Sequence, residues 1–308
     1  MRTKLLIISA LCFITSMSYA QQNKMLTHFI FDKMSVNPGA TGVGMSNTVC
    51  ATTIYRNQWD RVNGAPTSAL LNLEGELSRF LPGGVGLSFY HDAIGFARQN
   101  NVVLNYSYHF PLPNGTLGVG AGLGLVSYGM NPNWVTPDGN PEDPQLPQGV
   151  TEANFDANFG VYYLDNAGWY AGLSTTHIPA SELEQLNFNT ARHYYAMGGY
   201  LYKSAFDVTN LDLDFNAMLR TELVKFSGEL NVRAIWQDLF WAGATYRVED
   251  AIGIMAGVQF SSFRIGYSYD ITTNALQTIS RGSHEILLKY CYPIPPPPVT
   301  ISRNPRYL

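Results

Sequence analysis

Apolar and polar residues alternate along most of this chain with a period of two. Between Gly115 and Val126 nearly every second residue is apolar, and glycines separate most of them. The same alternation runs through 208–219, where Asn and Asp are the polar partners, and through 224–234, where Lys, Ser, Glu, Asn and Arg take that place. Alternation over about ten residues predicts β-strands with one apolar face and one polar face.

The pattern recurs often enough to predict an all-β chain of about 14 strands. Their predicted bounds are 48–57, 67–76, 84–92, 99–110, 115–128, 154–164, 168–177, 193–203, 208–220, 224–235, 240–249, 251–260, 262–271 and 283–292. The best helix candidate is short, Ser181–Gln185. Two architectures accept so many alternating strands: a soluble sandwich or barrel, and an outer-membrane barrel.

Three features of the strands favour the membrane barrel. They run about ten residues or more, which a tilted membrane-spanning strand needs, whereas soluble strands average about 5–6 residues. Their apolar faces are nearly free of charge, as a lipid-facing surface requires. Aromatic residues gather near strand ends, as in interfacial girdles. These residues are Tyr55, Trp59, Tyr106, Tyr108, Phe110, Tyr162, Tyr163, Trp169, Tyr170, Tyr200, Tyr202, Trp236, Phe240 and Trp241.

The connections between the strands fit the same architecture. If the barrel starts in the periplasm, the odd-numbered connections include the long segments 129–153, 178–192 and 272–282. The even-numbered connections are shorter, namely 77–83, 111–114, 165–167 and 204–207. We therefore predict a closed antiparallel transmembrane β-barrel with short periplasmic turns and longer extracellular loops.

The N-terminus has the features of an export signal. Arg2 and Lys4 precede a short apolar core, and small residues lead to Ala20, which predicts a signal peptide cleaved after Ala20. We divide the chain into a signal peptide at 1–20, an N-terminal periplasmic segment at 21–46, an outer-membrane barrel at 47–293 and a Pro-rich periplasmic tail at 294–308. Such a protein is exported to a Gram-negative outer membrane.

Composition adds little beyond this class. Charged residues make up 14% of the chain, against a typical value of about 25%, and the net charge of -4 gives no basis for a nucleic-acid partner. Cys12 leaves with the predicted signal peptide, so Cys50 and Cys291 remain. Two cysteines are too few for a disulfide framework.

The polar faces of the strands carry charges of both signs. The residues predicted to face the lumen are Arg56, Glu74, Asp92, Asp212, Asp214, Lys225, Glu229, Arg233, Arg247, Glu249, Arg264, Asp270, Glu285 and Lys289. One interpretation is an interior whose charges neutralise one another, since buried charges must pair. The other is a solute pathway whose charges set its selectivity.

The segment Met130–Gly149 holds five prolines and is predicted to be an outer loop, since proline fits neither a helix interior nor a central strand. It is either a loop that proline stiffens or a docking surface for another protein. The candidate docking residues are Trp134, Asp138, Glu142 and Asp143. Calcium binding by the three acidic residues is a weaker alternative, because the EF-hand spacing is absent.

Motifs for catalysis or cofactors are missing from the sequence. The six histidines share no metal-ligand spacing, and no HExxH, GxSxG or Walker motif occurs. The glycines of GVGAGLG lie in a strand without a βαβ unit, so close packing or room in the lumen explains them better than a nucleotide. We therefore predict a protein that is not an enzyme and needs no cofactor.

Several short stretches together resemble one family. They are NPGATG at 37–42, YRNQW at 55–59, GVGLSFYHDAIG at 84–95, NFGVYY at 158–163, YAGLSTTHI at 170–178, and YSYDIT with SRGSHEI between 267 and 286. In order and spacing they are similar to the PorP/SprF family of Bacteroidetes outer-membrane proteins, across almost the whole mature chain. One departure is Gly39, where an NPAxxG-type pattern has alanine.

The resemblance implies a component or cargo-specific partner of the type IX secretion system. Such a protein acts by protein–protein contacts in secretion or surface anchoring of large surface proteins, including gliding adhesins. Its partners would be the C-terminal domain of a large adhesin, the secretion machinery and outer-membrane lipid. Two alternatives stay open: a solute-conducting or substrate-selective porin, and a soluble secreted β-protein.

The last strand, 283–292, raises the question of what it pairs with, since an exposed strand edge is a hazard. In a closed barrel its partner is the first strand, 48–57. Cys50 and Cys291 would then both face inward near the periplasmic rim, either as a disulfide across the seam or as two separate thiols. The proline tract that follows cannot continue a ladder and is predicted to leave as an extended tail suited to docking.

Overall fold

The computed structural model describes residues 24–77, 81–132, 149–183, 186 and 188–295. Its main body is a closed antiparallel barrel of 14 strands. The barrel strands are β1 Thr48–Asn57, β2 Thr67–Glu76, β3 Gly84–Ile94, β4 Ala97–Leu112, β5 Gly115–Met130, β6 Val150–Asp165, β7 Trp169–Thr176, β10 His193–Tyr202, β11 Leu211–Thr221, β12 Phe226–Trp236, β13 Phe240–Arg247, β14 Ala251–Phe260, β15 Phe263–Thr272 and β16 Ser283–Pro293.

Smaller elements complete the fold. A hairpin of β8 Glu182–Leu183 and β9 Phe188–Asn189 lies between β7 and β10, which pair with each other in the barrel. The described residues include four short 3₁₀ helices, η1 Phe29–Phe31, η2 Pro38–Ala40, η3 Ala205–Asp207 and η4 Ala275–Thr278. In the described part of the chain, no helix is long and apolar enough to cross a membrane.

The predicted fold class is confirmed, and the bounds of β1, β2 and β14 agree with the prediction. The short helix predicted at Ser181–Gln185 is wrong where it can be judged. Glu182 and Leu183 form β8 instead, because Leu183 pairs with Phe188. The side chain of Leu183 is fully buried. Residues 184 and 185 lie outside the described residues.

The two ends of the barrel differ in their connections. At the end where β1 begins and β16 finishes, the connections are 77–83, 113–114, 166–168, 203–210, 237–239 and 261–262. We call this the turn end. The opposite end, the loop end, carries 58–66, 95–96, 131–149, 177–192, 222–225, 248–250 and 273–282. An even number of strands puts both ends of the barrel sequence at the turn end.

Strand alternation sorts the side chains as a membrane barrel requires. In β16, Ile286 is 53% exposed on the outer face, whereas the inward Glu285 and Leu287 are fully buried. Outward aromatic residues form a girdle at the turn end, where an interfacial belt is expected. They are Tyr108, Phe110, Trp169, Tyr200, Tyr202, Trp236, Phe240, Phe260, Phe263, Tyr290 and Tyr292.

The barrel closes between β1 and β16, so neither is a free edge. Cys50 stands opposite Cys291 in this register, and the two form a disulfide with a Cα–Cα distance of 4.0 Å. Arg56 stands opposite Glu285 further along the same pair of strands. The seam is thus held by ladder hydrogen bonds, a covalent link and a pair of opposite charges.

Residues 24–46 lie inside the barrel, and we call them the plug. Met25 lies at the loop end beside Trp59 and Phe226, and Gly42 packs on Gly84 near the turn end. Of the segment predicted to be periplasmic, 21–46, residues 24–46 therefore lie inside the barrel, and residues 21–23 fall outside the described residues. Two effects favour burial of the plug. Its polar groups pair with the charged inner wall of the barrel, and its apolar side chains leave water. The buried apolar side chains are Leu26, Phe29, Ile30, Phe31, Met34 and Val36.

Candidate functional site: the plugged lumen

A single carboxylate of the wall holds the start of the plug. Glu285 accepts hydrogen bonds from the backbone N–H groups of Thr27, at 2.9 Å, and His28, at 2.7 Å. Its Oε1 also lies 2.7 Å from Nδ1 of His28. Arg56 neutralises it from the neighbouring strand, with Nη1 3.1 Å from Oε2. Because Glu285 is fully buried, these partners replace the water that a free carboxylate would bind.

Further ion pairs extend from this contact around one side of the lumen. Asp270 joins Arg56, at 2.8 Å, and accepts the hydroxyl of Thr27. Arg247 bridges Asp270, at 3.4 Å, and Glu229, at 3.0 Å. The series of alternating charges ends at Arg220, which pairs with Glu229. Arg220 also donates a hydrogen bond to the carbonyl oxygen of Lys24 in the plug.

Glycines line the opposite side of the lumen, where the plug touches the wall backbone. A Cβ on Gly118 would meet the carbonyl oxygen of Gly39, and one on Gly120 would meet that of Pro38. The motif NPGATG therefore packs directly on the glycine-rich strand β5. This contact explains the alternating glycines of GVGAGLG, since any larger inward side chain would hold the plug away from the wall.

Polar groups of the same plug segment fix its conformation. Asn37 accepts a hydrogen bond from the N–H of Gly39, at 2.9 Å, and donates to the carbonyl oxygen of Val161, at 3.1 Å. A Cβ on Gly39 would lie 2.7 Å from the carbonyl oxygen of Gly160. Glycine at position 39, the departure from the family pattern, therefore suits the close approach of plug and wall in this chain.

Aromatic rings and cations hold the middle of the plug. Phe31 packs against Trp241, with ring centroids 5.2 Å apart. The guanidinium carbon of Arg233 lies 4.7 Å from the ring centroid of Phe31. Nζ of Lys33 lies 3.5 Å from the ring centroid of Tyr170 and 3.2 Å from the hydroxyl of Tyr162. Cation–π contacts gain strength when the cation is shielded from water, and both cations are at least partly buried here.

Burial also changes the titration of the plug's own charged groups. It lowers the pKa of Lys33 to about 8, although Asp214 nearby favours the charged form. It raises the pKa of Asp32, against the opposing effect of Lys24 and of hydrogen bonds from Ser35 and Asn72. Both shifts follow from moving a charge out of water into the lumen.

Comparison with known proteins identifies the family. The model of the type IX secretion system membrane proteins PorP/SprF matches residues 18–290, which is nearly the whole chain. The chain belongs to the PorP/SprF family. No curated protein sequence matches it.

Solved structures share the fold of this PorP/SprF chain at low sequence identity. The toluene transporter TbuX of Ralstonia pickettii matches with a TM-score of 0.54 and 9% identity, over 85% of this chain and 93% of the transporter. The monoaromatic hydrocarbon channel CymD matches with a TM-score of 0.51 and 12% identity, over 85% of this chain and 92% of the channel. At these identities the likeness shows an outer-membrane barrel fold and nothing further.

Most of the charged residues that the sequence predicts to face the lumen do so in this PorP/SprF barrel. Those that pair within the lumen are Arg56, Glu74, Asp214, Glu229, Arg233, Arg247, Asp270, Glu285 and Lys289. Arg264 lies near Phe31 and donates to Gln259, and Asp92 accepts the hydroxyl of Ser68. Asp212 accepts the backbone N–H of Ser204 near the turn end.

Two residues of that set do not face the lumen. Lys225 precedes β12, which begins at Phe226, and Glu249 follows β13, which ends at Arg247. Both are exposed in connections at the loop end. Each predicted strand extends two residues too far at the loop end, because alternation continues into the connections. The predicted docking residues Trp134, Asp138, Glu142 and Asp143, and the tail from 296, lie outside the described residues.

The residues that hold the plug are not evident from the alternation of apolar and polar positions. Thr27, His28 and Lys33 carry no periodic signal, and only Arg220 has a clue of this kind, its inward parity in the strand. The alternating glycines were the available clue, since they indicate that something packs closely on the inner wall. In the described part of the chain no group of His, Cys, Asp or Glu side chains could hold a metal ion.

Proposed function

We propose that this PorP/SprF protein holds a secreted surface protein at the outer membrane and acts through protein–protein contacts. The observation that carries this proposal is the plug. Residues of the chain itself occupy the lumen from Met25 at the loop end to Gly42 near the turn end, which leaves the two ends of the barrel as the surfaces for partners. A carrier of solutes would instead need an open lumen or a plug that leaves it.

The proposed orientation places the turn end in the periplasm. Short turns at one end and longer loops at the other support this assignment, because outer-membrane barrels carry their long loops outside the cell. Residues 1–20 act as the export signal in this proposal. The Pro-rich tail from 294 then starts on the periplasmic side, where it can meet the secretion machinery.

The proposed cargo is the C-terminal domain of a large surface protein, such as an adhesin, bound at the loop end. Family membership supports a role with the type IX machinery, and the loop end offers the larger connections for a cargo contact. The acidic, proline-rich segment 130–149 contributes Trp134, Asp138, Glu142 and Asp143 as candidate contacts.

The test is an in-frame deletion followed by a count of surface proteins. Intact cells are treated with protease, and the released peptides are compared with those from the parent strain and a complemented strain. We expect one or a few large proteins to disappear from the surface of the deletion strain and to return on complementation. An unchanged set of surface proteins would overturn the proposal.

A pore is the alternative, and conductance separates it from the proposal. The purified chain is placed in a planar bilayer together with an open porin as a positive control. We expect no steady current from the wild-type chain, because the plug fills the lumen. Steady current in the wild-type chain would favour the pore and contradict a role confined to protein contacts.

A further inference from the structure

A pocket of about 180 Å³ opens at the loop end above the plug. Met25 of the plug contributes to its lining, and the rest comes from four connections of the barrel and the strand ends beside them. The lining residues that decide its chemistry are Trp59, Glu222, Lys225, Phe226, Glu249 and Asp250. A cavity of about 150 Å³ holds a benzene-sized molecule, so this one has room for one long side chain.

Two large aromatic residues and a thioether contribute to the apolar surface of the pocket, beside Val248 and Leu276. Phe226 is 75% exposed at the start of β12. Trp59 has a backbone φ of 51°, which is unusual for a bulky residue. Its backbone N–H donates a hydrogen bond to the hydroxyl of Ser283 at 3.1 Å. Met25 adds a polarisable sulfur. Aromatic faces of this kind attract cations.

The ionisable groups of the pocket favour a positive occupant. Arg220 is buried and already paired with Glu229, so it adds no free positive charge. Asp250 is likewise paired, with Arg247, so the carboxylates of Glu222 and Glu249 remain against the single exposed ammonium of Lys225.

The three carboxylates differ in how far they are already engaged. Asp250 pairs with Arg247 at 3.1 Å, and Glu222 lies 2.9 Å from Nε2 of His193. Glu249 is exposed and forms no ion pair with a described residue. It is therefore the carboxylate with most capacity left for a ligand.

We propose that this pocket binds a lysine or arginine side chain of the secreted partner, with apolar neighbours of that side chain resting on Phe226. This inference rests on the proposed function, which supplies the partner. An aromatic wall together with an uncommitted carboxylate satisfies both needs of a long basic side chain, whose stem is apolar and whose head is charged. An acidic side chain would instead face the carboxylates of Glu222 and Glu249.

The charge preference of the pocket can be measured without knowing the partner. Ser227 lines the pocket, and Ser227→Cys places a thiol there, while Cys50 and Cys291 are joined as a disulfide. The full-length barrel in nanodiscs is treated with a cationic and an anionic methanethiosulfonate reagent of similar size. We expect faster modification by the cationic reagent. Equal rates, or faster modification by the anionic reagent, would overturn the proposal.

Two substitutions in the same pocket serve as matched controls of opposite sign. Glu249→Gln in the Ser227→Cys background should lower the cation-to-anion rate ratio about fivefold, and Lys225→Gln should raise it by a similar factor. Both residues are exposed in connections, so neither change disturbs the strands, and heat-modifiable migration on gels verifies the fold. Shifts in the same direction for both variants would contradict an electrostatic preference.

The biological arm uses the complemented deletion strain, so that two failures can be told apart. If the pocket binds a basic side chain of the cargo, Glu249→Lys should reduce surface display of the cargo, and Glu182→Lys, at an exposed loop-end residue outside the pocket, should leave it intact. Unchanged display with Glu249→Lys, in a strain whose deletion abolishes display, overturns the pocket inference alone. Normal display in the deletion strain overturns the proposed function, while the reagent rates still report the pocket's charge preference.

Discussion

Loss of the Glu285 side chain should release the plug, and this prediction tests the central feature of the structure. In Glu285→Ala the N–H groups of Thr27 and His28 lose their acceptor, and Arg56 keeps only Asp270 as an ionic partner. All of these groups are buried when the plug is docked. When the plug leaves the wall, water can hydrate them, so the penalty falls on the docked state.

The size of the effect follows from the burial. Removing one partner of a buried ion pair costs about 3–5 kcal/mol. With a factor of ten for each 1.4 kcal/mol, the ratio of released to docked plug should rise by a factor between ~10² and ~4 × 10³. Glu285→Gln keeps one acceptor oxygen and the shape of the side chain, so its effect should be smaller.

Conductance in a planar bilayer, together with cleavage of the plug by added protease, measures the release. We expect Glu285→Ala to show open events and faster cleavage within residues 24–46 than the wild-type protein. Asp212→Asn is the matched control, because Asp212 is an inward carboxylate near the turn end that bonds to Ser204 and not to the plug. A folded Glu285→Ala barrel that is as silent and as protease-resistant as the wild type would refute the reasoning.

Three further predictions concern other contacts of the plug and the seam. Gly120→Val should raise protease cleavage of the plug, since its side chain would meet the carbonyl oxygen of Pro38 and overpacking costs about 1–3 kcal/mol; Ala121→Val, facing outward, is the control. Docking of the plug, measured as protease resistance, should strengthen as pH rises from about 8 towards 10. Burial lowers the pKa of Lys33, so the released state binds more protons than the docked state in this range. Lys33→Met should flatten the dependence of protease resistance on pH. Cys50→Ser should lower the free energy of unfolding by up to about 5 kcal/mol in the chain-entropy estimate, measured as a lower thermal unfolding temperature in detergent, and reduction of the wild type should reproduce the effect.

The strands could be predicted because their signal is local. Alternation depends only on neighbouring residues, and a lipid-facing strand must keep its apolar positions clean, so β1, β2 and β14 were predicted at their observed bounds. The same parity placed Arg56 and Glu285 on the inner face. It could not exclude Lys225 and Glu249, since a connection can continue the alternation after the ladder of hydrogen bonds has ended.

The pairing of β1 with β16 follows from one additional idea, closure. Once the number of strands is even and no edge is left, the first and last strands must meet, and Cys50 then stands opposite Cys291. The sequence left open whether the two thiols are bonded. That depends on register, because a shift of one residue would turn one of the two cysteines to the other face.

By itself, the sequence determined that the chain forms a membrane barrel with charged residues on its inner face and alternating glycines on the inner face of β5. Only the tertiary structure decided what fills that interior. Thr27 meets Glu285 across 258 positions of the chain, and Ser107 bonds to Gly39 across 68. The plug has no periodicity of its own, because its conformation is set by the wall that surrounds it. Its place therefore becomes evident only when the barrel brings distant strands together around it.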